Sequence, residues 1–172
     1  MEKLKNEYAT VTAAGLSMGG VLSLLAAERM GADSCVAISA PMKVHTPGMS
    51  VAKVLAIIKP TVSFRSHGPA APTLMKDYAM GYRTFPTKSS GDLHHLMMMA
   101  RSGLKKICCP LLVIQSTGDR TIRQESAGII MNGARQVKAE YMELQDYPHA
   151  CTVHTGACEA IAERIIAFLK NN

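Results

Sequence analysis

The sequence contains no tryptophan, only three phenylalanines and five tyrosines. Nineteen Lys and Arg give a formal charge of +6, but they are scattered and only Lys105 and Lys106 are adjacent. Without aromatic side chains to interleave with them, such charges do not build a nucleic-acid surface, so no nucleic-acid partner is expected. Cysteine is also sparse in pattern: there are five, an odd number, with no Cys-x-x-Cys pair. That gives no sign of a disulfide framework, and a reducing cytoplasm is the simplest compartment. Cys108 and Cys109 stand at the start of an apolar run, where cysteine behaves as a small apolar residue. Cys151, His154 and Cys158 are the one grouping with an outline of metal ligands, yet they lack a fourth partner and fit no zinc spacing. No metal and no cofactor are expected.

Long apolar runs are missing too, and no window is long enough to span a bilayer. Lys3 and Lys5 ahead of an apolar stretch over 11–27 have the outline of a secretory signal. Glu2 and Glu7 spoil its basic part, Gly19-Gly20 interrupt its apolar part, and cleavage near Ala26-Ala27 would discard the most informative stretch of the chain.

That stretch is Gly15-Leu16-Ser17-Met18-Gly19-Gly20. Residues 10–14 lead into it as a strand, and residues 19–30 follow with helix-forming composition until Gly31. Strand, sharp turn and helix around Gly-x-Ser-x-Gly make a nucleophile elbow, which lifts a serine hydroxyl clear of the backbone. Glycines are expected on both sides because a side chain there would collide with its surroundings.

Downstream, the run Ser34-Cys35-Val36-Ala37-Ile38-Ser39-Ala40 reads as a parallel strand buried on both faces. From about 42 to 101, within a proposed cap insertion of about 41–106, the composition shifts to His, Pro, Gly, Ser and Met, with short helices expected over 51–58, 74–82 and 92–101. So long a stretch between two core strands is too large for a simple loop and reads as a helical cap inserted over the active-site edge. Pro110-Leu111-Leu112-Val113-Ile114 then restores a buried strand, followed by the turn Ser116-Thr117-Gly118-Asp119, a helix over 124–133 and a strand over 137–144. After Asp146-Tyr147-Pro148-His149, a terminal helix repeats Ile161, Ile165, Phe168 and Leu169 at helical spacing. Alternating strands and helices form one domain, core about 1–40 and 107–172, as an open parallel sheet with helices on both faces.

Ligands sit at the carboxyl ends of the strands in such folds, and Ser17, Asp119 and His149 each follow a strand. A serine hydroxyl needs a base to take its proton, and the base needs a third group to hold its tautomer. His149 suits the base and Asp119 the third group. Asp146 is a rival for the acid, but a carboxylate three residues from the histidine is more often a turn former. His154 is a rival for the base, although it falls near the entry of the last helix. His45, His67, His94 and His95 read as polar surface, and Met97-Met98-Met99 as core packing or the lining of an acyl pocket.

With the Gly15–Gly20 elbow, the strand 107–114 followed by Asp119, and His149 ahead of the terminal helix, the chain resembles the α/β-hydrolase family. Within it, the resemblance is to the carboxylesterase and monoacylglycerol-lipase-like branch, over nearly the whole length. It implies a partial α/β-hydrolase fold: a parallel sheet of about four strands flanked by helices, with a helical cap insertion. It implies Ser17 as nucleophile, Asp119 as acid, His149 as base and the N–H of Met18 as an oxyanion donor. The activity implied is hydrolysis of short to medium acyl carboxylic esters through an acyl-serine intermediate, with a small-molecule ester as partner.

Members of that family carry further strands before the nucleophile strand, and a loop there gives a second oxyanion N–H. The residues before Thr10 hold no such loop, so the chain is expected to lack those strands, and the loss of one donor costs about 2.7–4 kcal/mol. The edge at 10–14 is then free to pair with another chain, a homo-oligomer included. Two other readings compete: a non-catalytic remnant acting through that edge, and a hydrolase of thioesters, lactones or peptides.

Overall fold

A computed structural model of the chain describes residues 1–45, 61–63 and 84–172. A short exposed helix, α1 (Glu2–Glu7), precedes β1 (Thr12–Leu16), α2 (Met18–Arg29) and β2 (Ser34–Ile38). Two three-residue strands, β3 (Thr61–Ser63) and β4 (Thr84–Pro86), pair antiparallel. They are followed by α3 (Thr87–Gly103), β5 (Leu111–Ser116), α4 (Glu125–Gly133), β6 (Ala139–Leu144) and α5 (Ala157–Lys170). The main sheet has the order β1-β2-β5-β6, and all three of its pairings are parallel.

The apolar residues of β2 and β5 explain the layering. Side chains alternate faces along a strand, and these two strands are buried at every position, so each face needs its own cover. Cys35, Ala37, Leu111 and Val113 face one core with Val21 and Leu24 of α2, Met97 and Ala100 of α3, and Ile130 of α4. Val36, Ile38, Leu112 and Ile114 face the other, closed by Ile161 and Phe168 of α5. Ile165 packs beside them, whereas Leu169, expected on the same stripe, points out at 43% exposure.

The expected helix over 92–101 is longer at both ends, and its place is different from the one expected. Met97, Ala100 and Leu104 recur at helical spacing and join the core beside α2, so α3 is a layer of the sheet sandwich rather than part of a cap. The helices expected over 51–58 and 74–82, and His67, lie outside the described residues. Met97 is buried, Met99 packs against the core and Met98 is half exposed, which is a packing helix and no acyl pocket. His94, His95 and His45 are at least partly exposed.

The two outer strands differ. At β6 the edge carries Lys138, Glu140, Tyr141 and Glu143, with Glu140 paired to Lys138 and Arg164. The Arg164 guanidinium holds the Glu140 carboxyl below its ordinary range. At β1, Thr12–Leu16 carries no charge, its residues are half-buried or exposed, and among the described residues no strand pairs its outer side.

Candidate active site

Ser17 stands between β1 and α2 with φ 56° and ψ −119°, a region non-glycine residues rarely occupy. Its N–H donates to the Ile38 carbonyl at 2.8 Å and its carbonyl accepts from Val21 at 3.1 Å, so sheet and helix hold the strained residue from both sides. The glycines around it do unequal work. A Cβ on Gly15 would overlap the Gly19 carbonyl, and one on Gly20 would come within 2.8 Å of the Ala40 Cβ. At Gly19 a Cβ would meet nothing within 4 Å, so the collision expected on both sides of the serine is absent at that position. The tight approach is of Gly15 onto the Gly19 backbone, which any residue at 19 would supply.

Asp119 follows β5, its N–H donating to the Ser116 carbonyl at 3.3 Å. Its side chain is fully buried, and Oδ1 accepts from the N–H groups of Thr121 at 2.8 Å and Ile122 at 3.1 Å. Those donors are themselves fixed by a bridge between Val44 and Ile122. Oδ2 lies 2.7 Å from Nδ1 of His149, and Nε2 of His149 lies 2.7 Å from Oγ of Ser17. An ionised carboxylate only accepts, so the ring proton sits on Nδ1 and Nε2 is left to accept from the serine hydroxyl. Side chains separated by 102 and 30 positions thus form one hydrogen-bonded line at the carboxyl ends of β1 and β5.

The rivals stand elsewhere. Asp146 has φ 60° and donates its N–H to Thr117 Oγ1 at 2.9 Å, the behaviour of a turn former. His154 is 8% exposed and packs edge-on against Tyr147, with ring centroids 6.1 Å apart. Its N–H donates to Cys151 and its carbonyl accepts from Cys158, and its Nε2 has no hydrogen-bond partner among the described residues. The Cys151 thiol, pushed up by burial, lies 3.9 Å from the hydroxyl of Ser39. Among the described residues no group of three or more His, Cys, Asp or Glu is placed to hold a metal. Met18 opens α2, and a first-turn N–H has no acceptor within its own helix. Sequence reasoning missed Ser116 and Thr117, whose hydroxyls bond the histidine loop. An alcohol beside an Asp turn was the available signal, but its partners lie about thirty residues on.

No protein-family model matches the chain. In solved structures, the Paleococcus ferrophilus monoacylglycerol lipase superposes with a TM-score of 0.78 at 22% identity, covering 98% of this chain and 71% of that one. The chain has the α/β-hydrolase fold. Two curated relatives of the chain are ester hydrolases. It is 27% identical over 155 residues to a carboxylesterase of Bacillus subtilis (strain 168), covering 90% of this chain and 61% of the relative. It is 29% identical over 154 residues to the thermostable monoacylglycerol lipase of Bacillus sp. (strain H-257), covering 87% and 59%. The chain spans about three fifths of the length of these relatives. Among the described residues no helix is long and apolar enough to cross a membrane.

Proposed function

We propose that the protein is a serine hydrolase of carboxylic esters, carboxylesterase or monoacylglycerol-lipase-like, that cleaves short to medium acyl esters through an acyl-serine intermediate. The observation that carries this reading is the unbroken line from Asp119 through His149 to Ser17, at 2.7 Å per step, ending on a strained serine at a strand-to-helix elbow.

In this mechanism Nε2 of His149 takes the Ser17 hydroxyl proton as Oγ attacks the ester carbonyl carbon. The carbonyl π electrons move onto its oxygen, which the Met18 N–H receives as an oxyanion donor. Collapse of that intermediate expels the alcohol, which leaves with the proton from Nε2, and the acyl group stays on Oγ. Water then repeats the sequence: His149 takes its proton, the hydroxide oxygen attacks the acyl carbon, and Ser17 departs reprotonated as the carboxylic acid is released. Asp119 keeps its carboxylate throughout and stabilises the imidazolium formed in each half. The reading places the enzyme in the cytoplasm, on the cysteine pattern.

A fluorophosphonate probe and a series of p-nitrophenyl esters of rising chain length test it. Ser17-dependent labelling with turnover greatest on short to medium chains is expected. Labelling with preference for a thioester, lactone or peptide would replace the ester assignment, and no labelling would overturn the hydrolase reading.

The uncharged outer edge of β1 supports a second part of the reading, self-association through that edge. An open edge offers N–H and carbonyl groups to another strand, and charge of the kind found along β6 is the usual defence against such pairing.

A further inference from the structure

We propose that Ser116, assisted by Thr117, is a positioning residue that clamps the loop bearing His149 onto the turn bearing Asp119. This rests on the assignment of Asp119 and His149 above but assigns a role to residues outside that line.

Ser116 ends β5 and is completely buried. Its Oγ accepts two backbone N–H bonds, from Gly118 at 3.2 Å and from Tyr147 at 2.8 Å. One donor is the neighbour of Asp119, and the other lies two residues before His149. A single hydroxyl oxygen therefore joins the two segments whose side chains must meet. Its carbonyl works on the same turn, accepting from the Asp119 N–H at 3.3 Å and from Nε2 of Gln124 at 2.7 Å. Thr117 repeats the clamp one residue on: its N–H donates to the Leu144 carbonyl at 2.9 Å and its Oγ1 accepts from the Asp146 N–H at 2.9 Å. Consecutive N–H groups of the histidine loop, those of Asp146 and Tyr147, are thus held by consecutive hydroxyls of the acid turn.

Backbone packing leaves these bonds little slack. A Cβ at Gly118 would come within 2.6 Å of the Asp146 carbonyl carbon and 2.8 Å of the Tyr147 oxygen, so turn and loop touch along their main chains. Asp146 completes the bend with φ 60°. Removing the Ser116 hydroxyl leaves the Gly118 and Tyr147 N–H groups without their acceptor, and the loop can then move away from the turn. A misplacement of about 1 Å at a reacting group can cost about a hundredfold in rate.

The experiment compares the parent chain with Ser116→Ala, Thr117→Ala and Asp119→Asn by two readouts. The first is the downfield proton resonance of His149 Nδ1–H, assigned by its loss in His149→Ala. The second is the rate of fluorophosphonate labelling. Ser116→Ala is expected to abolish or broaden the resonance and to slow labelling by about tenfold to a hundredfold, with Thr117→Ala acting in the same direction and less. In the Asp119→Asn background, Ser116→Ala should slow labelling no further, because both act through one contact.

Parental resonance and labelling rate in Ser116→Ala and Thr117→Ala would overturn the proposal, as would full additivity with Asp119→Asn. If Ser116→Ala does not fold, Thr117→Ala decides, its residue being exposed. A parent that shows the resonance without labelling loses the hydrolase reading, while the resonance in the variants still judges the clamp. A parent with neither signal overturns both.

Discussion

At Gly15 and Gly19 two residues of the same type, four positions apart, meet opposite surroundings, and substitution should separate them. Gly15→Ala forces a methyl into the Gly19 carbonyl, a backbone overlap that no side-chain rotation relieves, and is expected to destabilise the fold by at least about 1–3 kcal/mol. Gly19→Ala adds a methyl to open space on α2, where alanine is the better helix former, and should be neutral or stabilising by up to about 1 kcal/mol. Urea titrations of the two variants check this. Cys35 offers a second test at this scale. Burial pushes its thiol from 9.0 up to about 12, so the folded chain binds a proton that the unfolded chain has released at intermediate pH. With the folded value above the unfolded one, stability is fully present below pH 9.0 and falls as pH rises toward about 12. Cys35→Ala should flatten that slope in denaturant titrations run across the range. Thiol reagents should meanwhile reach the exposed Cys108 before Cys35.

The elements divide between those the sheet dictates and those decided by packing at a distance. Phe168 of α5 is completely buried against Val36, Ile38, Leu112 and Ile114, while Ile166, two residues earlier, is 52% exposed. Phe168→Ala should cost about 3–5 kcal/mol and Ile166→Ala well under 1 kcal/mol, read as shifts of the thermal or urea midpoint at unchanged urea dependence. The strands β2 and β5 were legible because continuous apolar runs bounded by Gly or Pro leave little alternative. The elbow was legible because its strand and helix flank it, and so was the position of Asp119 and His149 after strands; their mutual contact was not, since it joins residues thirty positions apart. What the sequence could not convey is the side on which α3 packs: its composition resembles the polar stretch before it, and only Met97, Ala100 and Leu104 at helical spacing betray a core face. Strand ends also moved by a residue or two, as at β1, expected over 10–14 and found at Thr12–Leu16. The clamp at Ser116 and Thr117 was invisible for a different reason. Its partners are backbone N–H groups, which every sequence possesses.

For the molecule as a whole, the unequal edges of the sheet are the feature with the largest consequence. Among the described residues, the sheet has two inner strands buried on both faces, charged residues along its β6 edge and five uncharged residues along its β1 edge, with Ala14 exposed. Size-exclusion chromatography over a concentration series should show self-association of the parent. Ala14→Lys, which places a charge on that edge, should shift it toward the monomer without lowering the thermal midpoint by more than a small amount. A parent that stays monomeric at all concentrations would contradict association through this edge. The proposed chemistry belongs to the other end of the same strand, where Ser17 leaves the sheet. Its most direct test is intact-mass and peptide mapping after fluorophosphonate treatment of the parent, Ser17→Ala and His149→Ala. A single adduct on the peptide containing Ser17, absent from Ser17→Ala and strongly slowed in His149→Ala, is the predicted result. No adduct on the parent, or an adduct that persists in Ser17→Ala, would contradict it.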